Sequence, residues 1–142
     1  MPSLVYAFNL NYNQYTAFRS IVDYRLATAG LGAWSGLSPR VVNLYINCPD
    51  IGGGFRIQHG YSSFVNATRI GNNFLVAHNV TIGEKNGTPV IGDNVMIKTG
   101  AVVYGSIVIG DNVTIGPNAC VDRDVPLDTI CFAPRCVFVK KK

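Results

Sequence analysis

Two histidines stand at matching positions along the chain, and their side chains suit one kind of chemistry. His59 follows Ile57 by two residues, and His78 follows Val76 by the same interval. A neutral imidazole can take a proton from a hydroxyl near neutral pH, so this pair predicts general acid–base chemistry. The elements around the two histidines decide whether their side chains meet.

Aliphatic residues recur at every sixth position through most of the chain. The members of this repeat are Ile51, Ile57, Ile70, Val76, Ile82, Ile91, Ile97, Val103, Ile109, Ile115 and Val121. A six-residue period describes a short strand followed by a corner, and three such hexads make one triangular coil of about 18 residues. The sequence therefore predicts an all-β solenoid, a left-handed parallel β-helix of about four coils, over residues 46–128. A second apolar position lies four residues after each aliphatic residue, and Tyr61 fills it after Ile57.

The repeat is interrupted twice, and both interruptions lie near a histidine. Thirteen residues separate Ile57 from Ile70, one more than two hexads, and nine separate Ile82 from Ile91. Insertions into a solenoid collect on one face and often carry its site. Because the histidines occupy equivalent hexad positions, we expect them on the same edge of the prism, one coil and ~5 Å apart.

The flanking segments have a different character. Residues 14–29 predict a helix with a stripe of Phe18, Ile21, Val22, Arg25 and Leu26, capped by Asn13 and stopped by Gly30. Residues 1–45 then form an N-terminal helix and loop, and residues 129–142 leave the prism as a C-terminal tail.

Composition narrows the class of protein. Among 142 residues, 48% are hydrophobic and 14% are charged, which supports a packed core and excludes a coiled coil or a disordered chain. The net charge of +4 is scattered rather than clustered, so nucleic acid is not an expected partner. No apolar run has the length of a membrane span, and no basic N-terminal region precedes an apolar one, so we expect a cytoplasmic protein.

Four cysteines, at positions 48, 120, 131 and 136, make no C-x-x-C pair. Their spacing matches no zinc signature, so no metal site is predicted from them. We expect structural thiols, with Cys120 in the core. A catalytic zinc site built from three histidines is an alternative that this chain, with two, does not supply alone.

Several stretches together resemble the hexapeptide-repeat acyltransferases. They are Ile51-Gly52-Gly53-Gly54-Phe55-Arg56-Ile57-Gln58-His59-Gly60, then Val80-Thr81-Ile82-Gly83, Pro89-Val90-Ile91-Gly92-Asp93-Asn94-Val95 and Asp124-Val125-Pro126. Within that family the chain looks like the serine acetyltransferases and their relatives in surface-polysaccharide gene sets. The likeness covers roughly residues 44–128.

The resemblance implies an acetyl-CoA-dependent O-acetyltransferase, with acetyl-CoA as co-substrate, no metal and a homotrimeric assembly. The acceptor would be the hydroxyl of a small molecule, either L-serine or a sugar. His59 matches the family's catalytic base, and His78 would act behind it or on the acceptor side. The resemblance assigns Gly83, Thr99, Gly100 and Pro117 to the coenzyme A channel. Lys140 belongs to a basic C-terminal triplet that is either a solvated tail or a phosphate contact.

The chain departs from the serine acetyltransferase pattern near the base. Leu44 stands where the family has an acid that orients the imidazole, and Gln58 stands where an Asp often precedes the base. We therefore expect another group to orient His59: a backbone carbonyl, Asn47, Asp50 or a residue of a neighbouring subunit. These departures also support a second hypothesis, a non-catalytic β-helix that serves assembly or binding.

Overall fold

The computed structural model describes residues 16–31, 43–135 and 137–140. They form one helix followed by a parallel β-solenoid of about five turns. The predicted parallel β-helix is confirmed, with one turn more than the four expected. The extra turn arises because strands begin at Leu44, upstream of the first recognisable hexad, and continue to Cys131.

The elements, in chain order, are as follows. They are α1 (Thr16–Thr28), β1 (Leu44–Asn47), β2 (Arg56–Ile57), β3 (Ser63–Asn66), β4 (Arg69–Ile70), β5 (Leu75–Val76), β6 (Thr81–Gly83), β7 (Val90–Ile91), β8 (Met96–Ile97), β9 (Val102–Tyr104), β10 (Val108–Ile109), β11 (Thr114–Ile115), β12 (Cys120–Val121) and β13 (Ile130–Cys131).

Three parallel sheets make the three faces of the prism. Face 1 contains β1, β3, β6, β9 and β12, face 2 contains β4, β7 and β10, and face 3 contains β2, β5, β8, β11 and β13. Each strand pairs with the equivalent strand of the next coil, so the chain visits the three faces in turn. Single bridges at Ile51 and Val125 extend face 2 at both ends.

The predicted aliphatic repeat forms the core. All eleven of its members are buried, and eight of them have no exposed surface. The other three, Ile51, Ile57 and Val121, lie at the two ends of the stack. Burial of such side chains is worth roughly 1.5–3 kcal/mol each relative to exposure, so this column is the main source of stability. The prediction that these residues point inward is confirmed.

One inward position was predicted wrongly. Tyr61 is 52% exposed, and Ser63 fills the equivalent interior position with 1% exposure. The register shows why, because Phe64 pairs with Thr81, which makes Ser63 the counterpart of Val80. Counting hexads from Ile57 therefore gives the interior position to Tyr61, whereas Ser63 occupies it.

Coil length changes along the prism. In the last coil, paired residues lie 16 positions apart, as between Thr114 and Ile130. Between β7 and β12 the separation is 18, as between Asp93 and Asp111. The corresponding separation is 21 in the coil above, where Asn72 meets Asp93. In the first coil it is 19 on face 3 and 17 on face 1. The corner from β2 to β3 thus holds two residues more than the corresponding corner from β5 to β6.

A ladder of side chains closes the corner between faces 2 and 3. Asn73, Asn94 and Asn112 all adopt φ values of 56° to 57°. Each amide donates to the side-chain oxygen of the next coil, at 3.0, 3.0 and 2.8 Å, and the last acceptor is Asp128. Asparagine suits this corner because it tolerates left-handed backbone angles and carries both a donor and an acceptor. We call this column the asparagine corner.

Helix α1 packs on the first coil. Arg25 donates to the carbonyl oxygens of Ile51 and Gly52 at 2.6 and 2.5 Å, and the Tyr24 hydroxyl donates to the carbonyl of Cys48. Gly30, with φ of 77°, follows the helix as predicted. The predicted cap Asn13 and the side chain of Phe18 lie outside the described residues. The helix thereby supplies hydrogen-bond donors to backbone carbonyls at the first edge of the described solenoid.

The far end of the prism carries the last two described cysteines. Strand β13 pairs with β11, so the solenoid continues past residue 128. Cys120 is exposed on face 1, contrary to the expectation of a core residue, because it occupies the outward position of β12. Cys48 is buried, Cys131 is half-buried, and all three are free thiols. Cys136 lies outside the described residues.

Candidate active site

The corner between faces 3 and 1 carries both histidines, and we call it the histidine corner. It comprises residues 58–62, 77–79, 98–100 and 116–118 of successive coils. The ring centroids of His59 and His78 are 5.8 Å apart with an interplanar angle of 70°. The prediction that the two side chains lie one coil apart on the same edge agrees with this geometry.

His59 lies in the two-residue expansion of the first coil. Its φ is 67°, in the left-handed region, and its side chain is exposed. This conformation costs a non-glycine residue about 1–2 kcal/mol. Strained residues of this kind cluster at functional sites, because surrounding structure must hold them there for a reason other than stability.

The imidazole of His59 has no hydrogen-bond partner in the described part of the chain. Two of the expected orienting groups are engaged elsewhere. Asn47 donates to Asn66 at 3.0 Å, and Asp50 forms an ion pair with Arg69 at 3.2 Å. Leu44, which stands where the family has the orienting acid, pairs with Ser63 on face 1. Of the predicted orienting groups, a residue of a neighbouring subunit is the one that the described part of the chain does not test.

His78 is held more deeply than His59. Its side chain is half-buried, and Nδ1 is buried without a hydrogen-bond partner among the described residues. A buried ring nitrogen without a partner leaves Nε2 as the atom through which this imidazole can act on its surroundings.

Below the histidines, the corner continues with small residues. Thr99 is the counterpart of His78, and Gly100 follows with φ of 72°. A Cβ at Gly100 would lie 2.2 Å from Oδ1 of Asn118, so a larger residue here would require the Asn118 side chain to move. Pro117 continues the column and is exposed. Thr99, Gly100 and Pro117 therefore share the edge that carries both histidines.

One predicted coenzyme position, Gly83, lies at another corner. Gly83 ends β6 at the corner between faces 1 and 2, where it pairs with Tyr104. The neighbouring loop places the Lys85 ammonium 5.3 Å from the centroid of the Tyr104 ring. Lys140 is exposed in the segment after the last strand. The single chain therefore does not bring Gly83 to the histidine corner.

The clearest carboxyl pKa shift occurs at the asparagine corner. The Asn72 backbone N–H and side-chain amide donate to Asp93, and these bonds lower the pKa of that carboxyl. Near the helix, burial raises the pKa of the Cys48 thiol. Asp93 and Cys48 both lie outside the histidine corner, so these two pKa shifts concern the stability of the scaffold.

Neither a metal cluster nor a membrane-crossing helix is found among the described residues. No group of three or more His, Cys, Asp or Glu side chains in these ranges could hold a metal ion. No helix in the same ranges combines the length and apolar character needed to cross a bilayer.

Residues 88–123 match the family profile described as "Bacterial transferase hexapeptide (six repeats)". The resemblance to hexapeptide-repeat proteins is thus confirmed over this stretch of the prism. The chain is also similar to serine acetyltransferases.

The curated relatives are similar over about half of this chain. Serine acetyltransferase of Bacillus licheniformis is 43% identical over 82 residues, which cover 54% of this chain and 38% of that protein. The serine acetyltransferase of Helicobacter pylori is 35% identical over 85 residues, covering 54% of this chain and 48% of that protein. The chain therefore spans less than half the length of either relative.

Solved structures of the same class superpose on the prism. Serine acetyltransferase isoform 3 of Entamoeba histolytica, in complex with cysteine, gives a TM-score of 0.61 at 36% identity, covering 68% of this chain and 38% of that one. Soybean serine acetyltransferase complexed with serine gives 0.62 at 29% identity, covering 82% and 54%.

Sequence reasoning missed one residue of this corner, Ser63. It was overlooked because the hexad count placed Tyr61 in the interior. A serine flanked by Ser62 and Phe64 gives no sequence signal of burial, and the pairing of β3 with β6 was needed to find it.

Proposed function

We propose that this chain is an acetyl-CoA-dependent O-acetyltransferase with serine acetyltransferase-like activity on the hydroxyl of a small acceptor. The observation that carries the proposal is the facing pair of His59 and His78 on an expanded corner of a hexapeptide prism. Similarity to serine acetyltransferases supports L-serine as the acceptor, with a sugar hydroxyl as the alternative.

In the proposed reaction, His59 is the general base. A ring nitrogen of its neutral imidazole takes the acceptor's hydroxyl proton while the oxygen attacks the thioester carbonyl carbon. The tetrahedral intermediate collapses as the carbon–sulfur bond breaks and the acetyl ester forms. The departing thiolate receives the proton from the imidazolium, so the base is restored. A thiol of ordinary pKa near ~8.5 leaves readily without a metal.

The exposure of His59 supports this role. A base must reach a substrate hydroxyl, and His59 extends from the corner with its ring accessible. His78, half-buried and one coil below, would contact the acceptor or the His59 ring through Nε2. Coenzyme A would lie along Thr99, Gly100 and Pro117, which share the edge that carries both histidines.

We further propose a homotrimer in which neighbouring prisms complete the site. Tyr45 and Phe64 stack on face 1 with centroids 4.7 Å apart, and both are exposed, as is Tyr61. Aromatic surface of this kind favours a partner, and a threefold ring closes such faces without an open end. In that assembly a neighbour could bring Gly83 or Lys140, and an orienting group, to the histidine corner. Light scattering that gives a monomer mass at micromolar concentration would contradict this assembly.

The deciding experiment compares the two histidines by thiol release from acetyl-CoA. His59→Asn is the sharper variant, because asparagine accepts the left-handed backbone of this position. We expect kcat to fall about 10²-fold with acetyl-CoA binding and the unfolding midpoint unchanged. The assay is run with serine and with a panel of sugars and nucleotide sugars.

Two results would overturn the proposal. If His59→Asn retains turnover while His78→Ala abolishes it, the base lies in the other coil. If neither variant affects turnover, or if wild-type protein releases no thiol with any acceptor, the chain is a non-catalytic assembly or binding protein.

A further inference from the structure

Ser63 is a buried hydroxyl in a column of apolar side chains. Its counterparts in the next three coils are Val80, Ala101 and Ala119, all buried. A hydroxyl in an apolar interior is unfavourable unless it is hydrogen-bonded, so its partners indicate why it is there.

Those partners are the two backbone groups that flank His78. The Ser63 hydroxyl donates to the carbonyl of Ala77 at 3.1 Å, and it accepts the backbone N–H of Val80 at 3.3 Å. The carbonyl of Tyr61, at 3.4 Å, is a longer second acceptor for the same proton. The hydroxyl thus spans the turn from Ala77 to Val80.

Later coils close the same turn without a side chain. The Ala101 N–H donates directly to the carbonyl of Lys98 at 3.2 Å, and the Ala119 N–H donates to the carbonyl of Gly116 at 3.2 Å. In the turn that holds His78, no direct bond joins Val80 to Ala77, and the Ser63 oxygen takes the place between them. This turn is therefore held open by one atom that the other corners lack.

The same residue ends the His59 loop. Ser62, with φ of 53°, is the last residue of the expanded corner, and Ser63 begins β3 directly after it. The Ser63 backbone therefore anchors the loop of His59, while its side chain holds the turn of His78. One residue connects the two segments that bring the imidazoles within 5.8 Å of each other.

We propose that Ser63 is a positioning residue, whose hydroxyl opens the Ala77–Val80 turn and so sets the place of the His78 imidazole opposite His59. The kinetic consequence rests on the function proposed above, whereas the structural consequence does not. Without the hydroxyl, the turn would close as it does at Gly116–Ala119, and the His78 ring would move relative to His59.

The test is Ser63→Ala, a change that the chain itself makes at the equivalent position of later coils. Because the chain has two histidines, their ring resonances are assigned by comparison with His59→Asn. We expect Ser63→Ala to shift the His78 ring signals, and to lower kcat/KM for the acceptor 3- to 10-fold, on the order of one lost hydrogen bond. The KM for acetyl-CoA should not change.

Two further variants separate positioning from packing. Ser63→Thr retains the hydroxyl and should keep the His78 ring signals near those of the wild type. Ala101→Ser places a hydroxyl under the turn of Pro117, which carries no histidine, and should leave both histidine signals unchanged.

The inference is overturned if the His78 signals of Ser63→Ala equal those of the wild type, or shift no more than those of Ala101→Ser. Loss of turnover in His59→Asn together with normal kinetics in Ser63→Ala would overturn it while the proposed function stands. Normal turnover in His59→Asn would instead remove the proposed function, and the resonance measurement would still decide the role of Ser63.

Discussion

The first coils of this prism and the coils from β7 to β12 are built from the same hexads but differ in regularity. Between face 2 strands β7 and β10 the spacing is 18 residues, and it is the same on the other two faces. Around His59 and His78 the spacing varies from 17 to 21. The irregular coils also contain His59, whose backbone is in the left-handed region, and the buried Ser63. The regular coils serve as scaffold. The spacing departs from 18 residues in the coils that carry the candidate chemistry and also at the far end, where Thr114 pairs with Ile130 at a separation of 16.

The largest effect is expected from a cavity in the regular coils. Ile109 is fully buried on face 2, so Ile109→Ala should lower the free energy of unfolding by about 2–5 kcal/mol. Urea denaturation measures this loss, and turnover per folded molecule should stay at the wild-type value. Val108→Ala, at the exposed neighbouring position, is the matched control. A large loss of turnover in folded Ile109→Ala would mean that the two regions are not separate in function.

Shortening the expanded corner should have the reverse effect of Ile109→Ala: turnover should fall and stability should hardly change. Deletion of His59 and Gly60 gives this corner the length that it has in later coils. Because loop length contributes little to stability, the free energy of unfolding should change by less than about 1 kcal/mol. Turnover should fall about 10²-fold, as in His59→Asn. Failure of the shortened protein to fold would show that the expansion is structural.

A substitution at the asparagine corner measures how much its side-chain hydrogen bonds contribute to the stability of the regular coils. Asn94→Ala removes two interstrand amide bonds and places alanine at φ of 57°. We expect a loss of about 1–2 kcal/mol in unfolding free energy. Asn86→Ala, at the same φ but in the loop after β6 and outside the ladder, measures the backbone cost alone. Equal losses in the two variants would mean that the ladder contributes nothing.

His78→Ala should affect activity less than the loss of His59. We expect a less than 10-fold fall in kcat, and a rise in the KM for the acceptor, because His78 would contact the acceptor and not take its proton. Steady-state kinetics with a fixed saturating concentration of acetyl-CoA gives both values. A kcat loss as large as that of His59→Asn would indicate that the two imidazoles act as one unit.

The smallest effect that we expect is a change in the stabilising contribution of Asp93 at acidic pH. Hydrogen bonds from Asn72 lower the pKa of Asp93 in the folded state. Its stabilising contribution is therefore complete above the unfolded pKa of the carboxyl, and is lost as pH falls through the lower folded value. The difference in thermal midpoint between wild type and Asp93→Asn should shrink on going from neutral to strongly acidic pH. A difference that grows with acid would contradict the assigned shift.

The regular and irregular coils also differ in how far the sequence predicts them. In residues 91–121 the unbroken period identified every inward aliphatic side chain. Around His59 the same counting gave the correct edge for both histidines but the wrong interior residue, Tyr61. It also gave no sign that Gly83 lies on another corner from Thr99. Where an insertion interrupts the period, counting from either side gives different answers.

What the sequence determined by itself was the six-residue period, because each aliphatic side chain must enter one narrow core and each corner needs a residue that tolerates its backbone angles. The tertiary structure decided how the interrupted coil is aligned with its neighbour. Strand β3 is fixed by hydrogen bonds to a chain segment 17 residues away, and those bonds turn Ser63 inward and Tyr61 outward. Pairing between coils, and not local propensity, therefore determines which hydroxyl is hydrogen-bonded to the turn that carries His78.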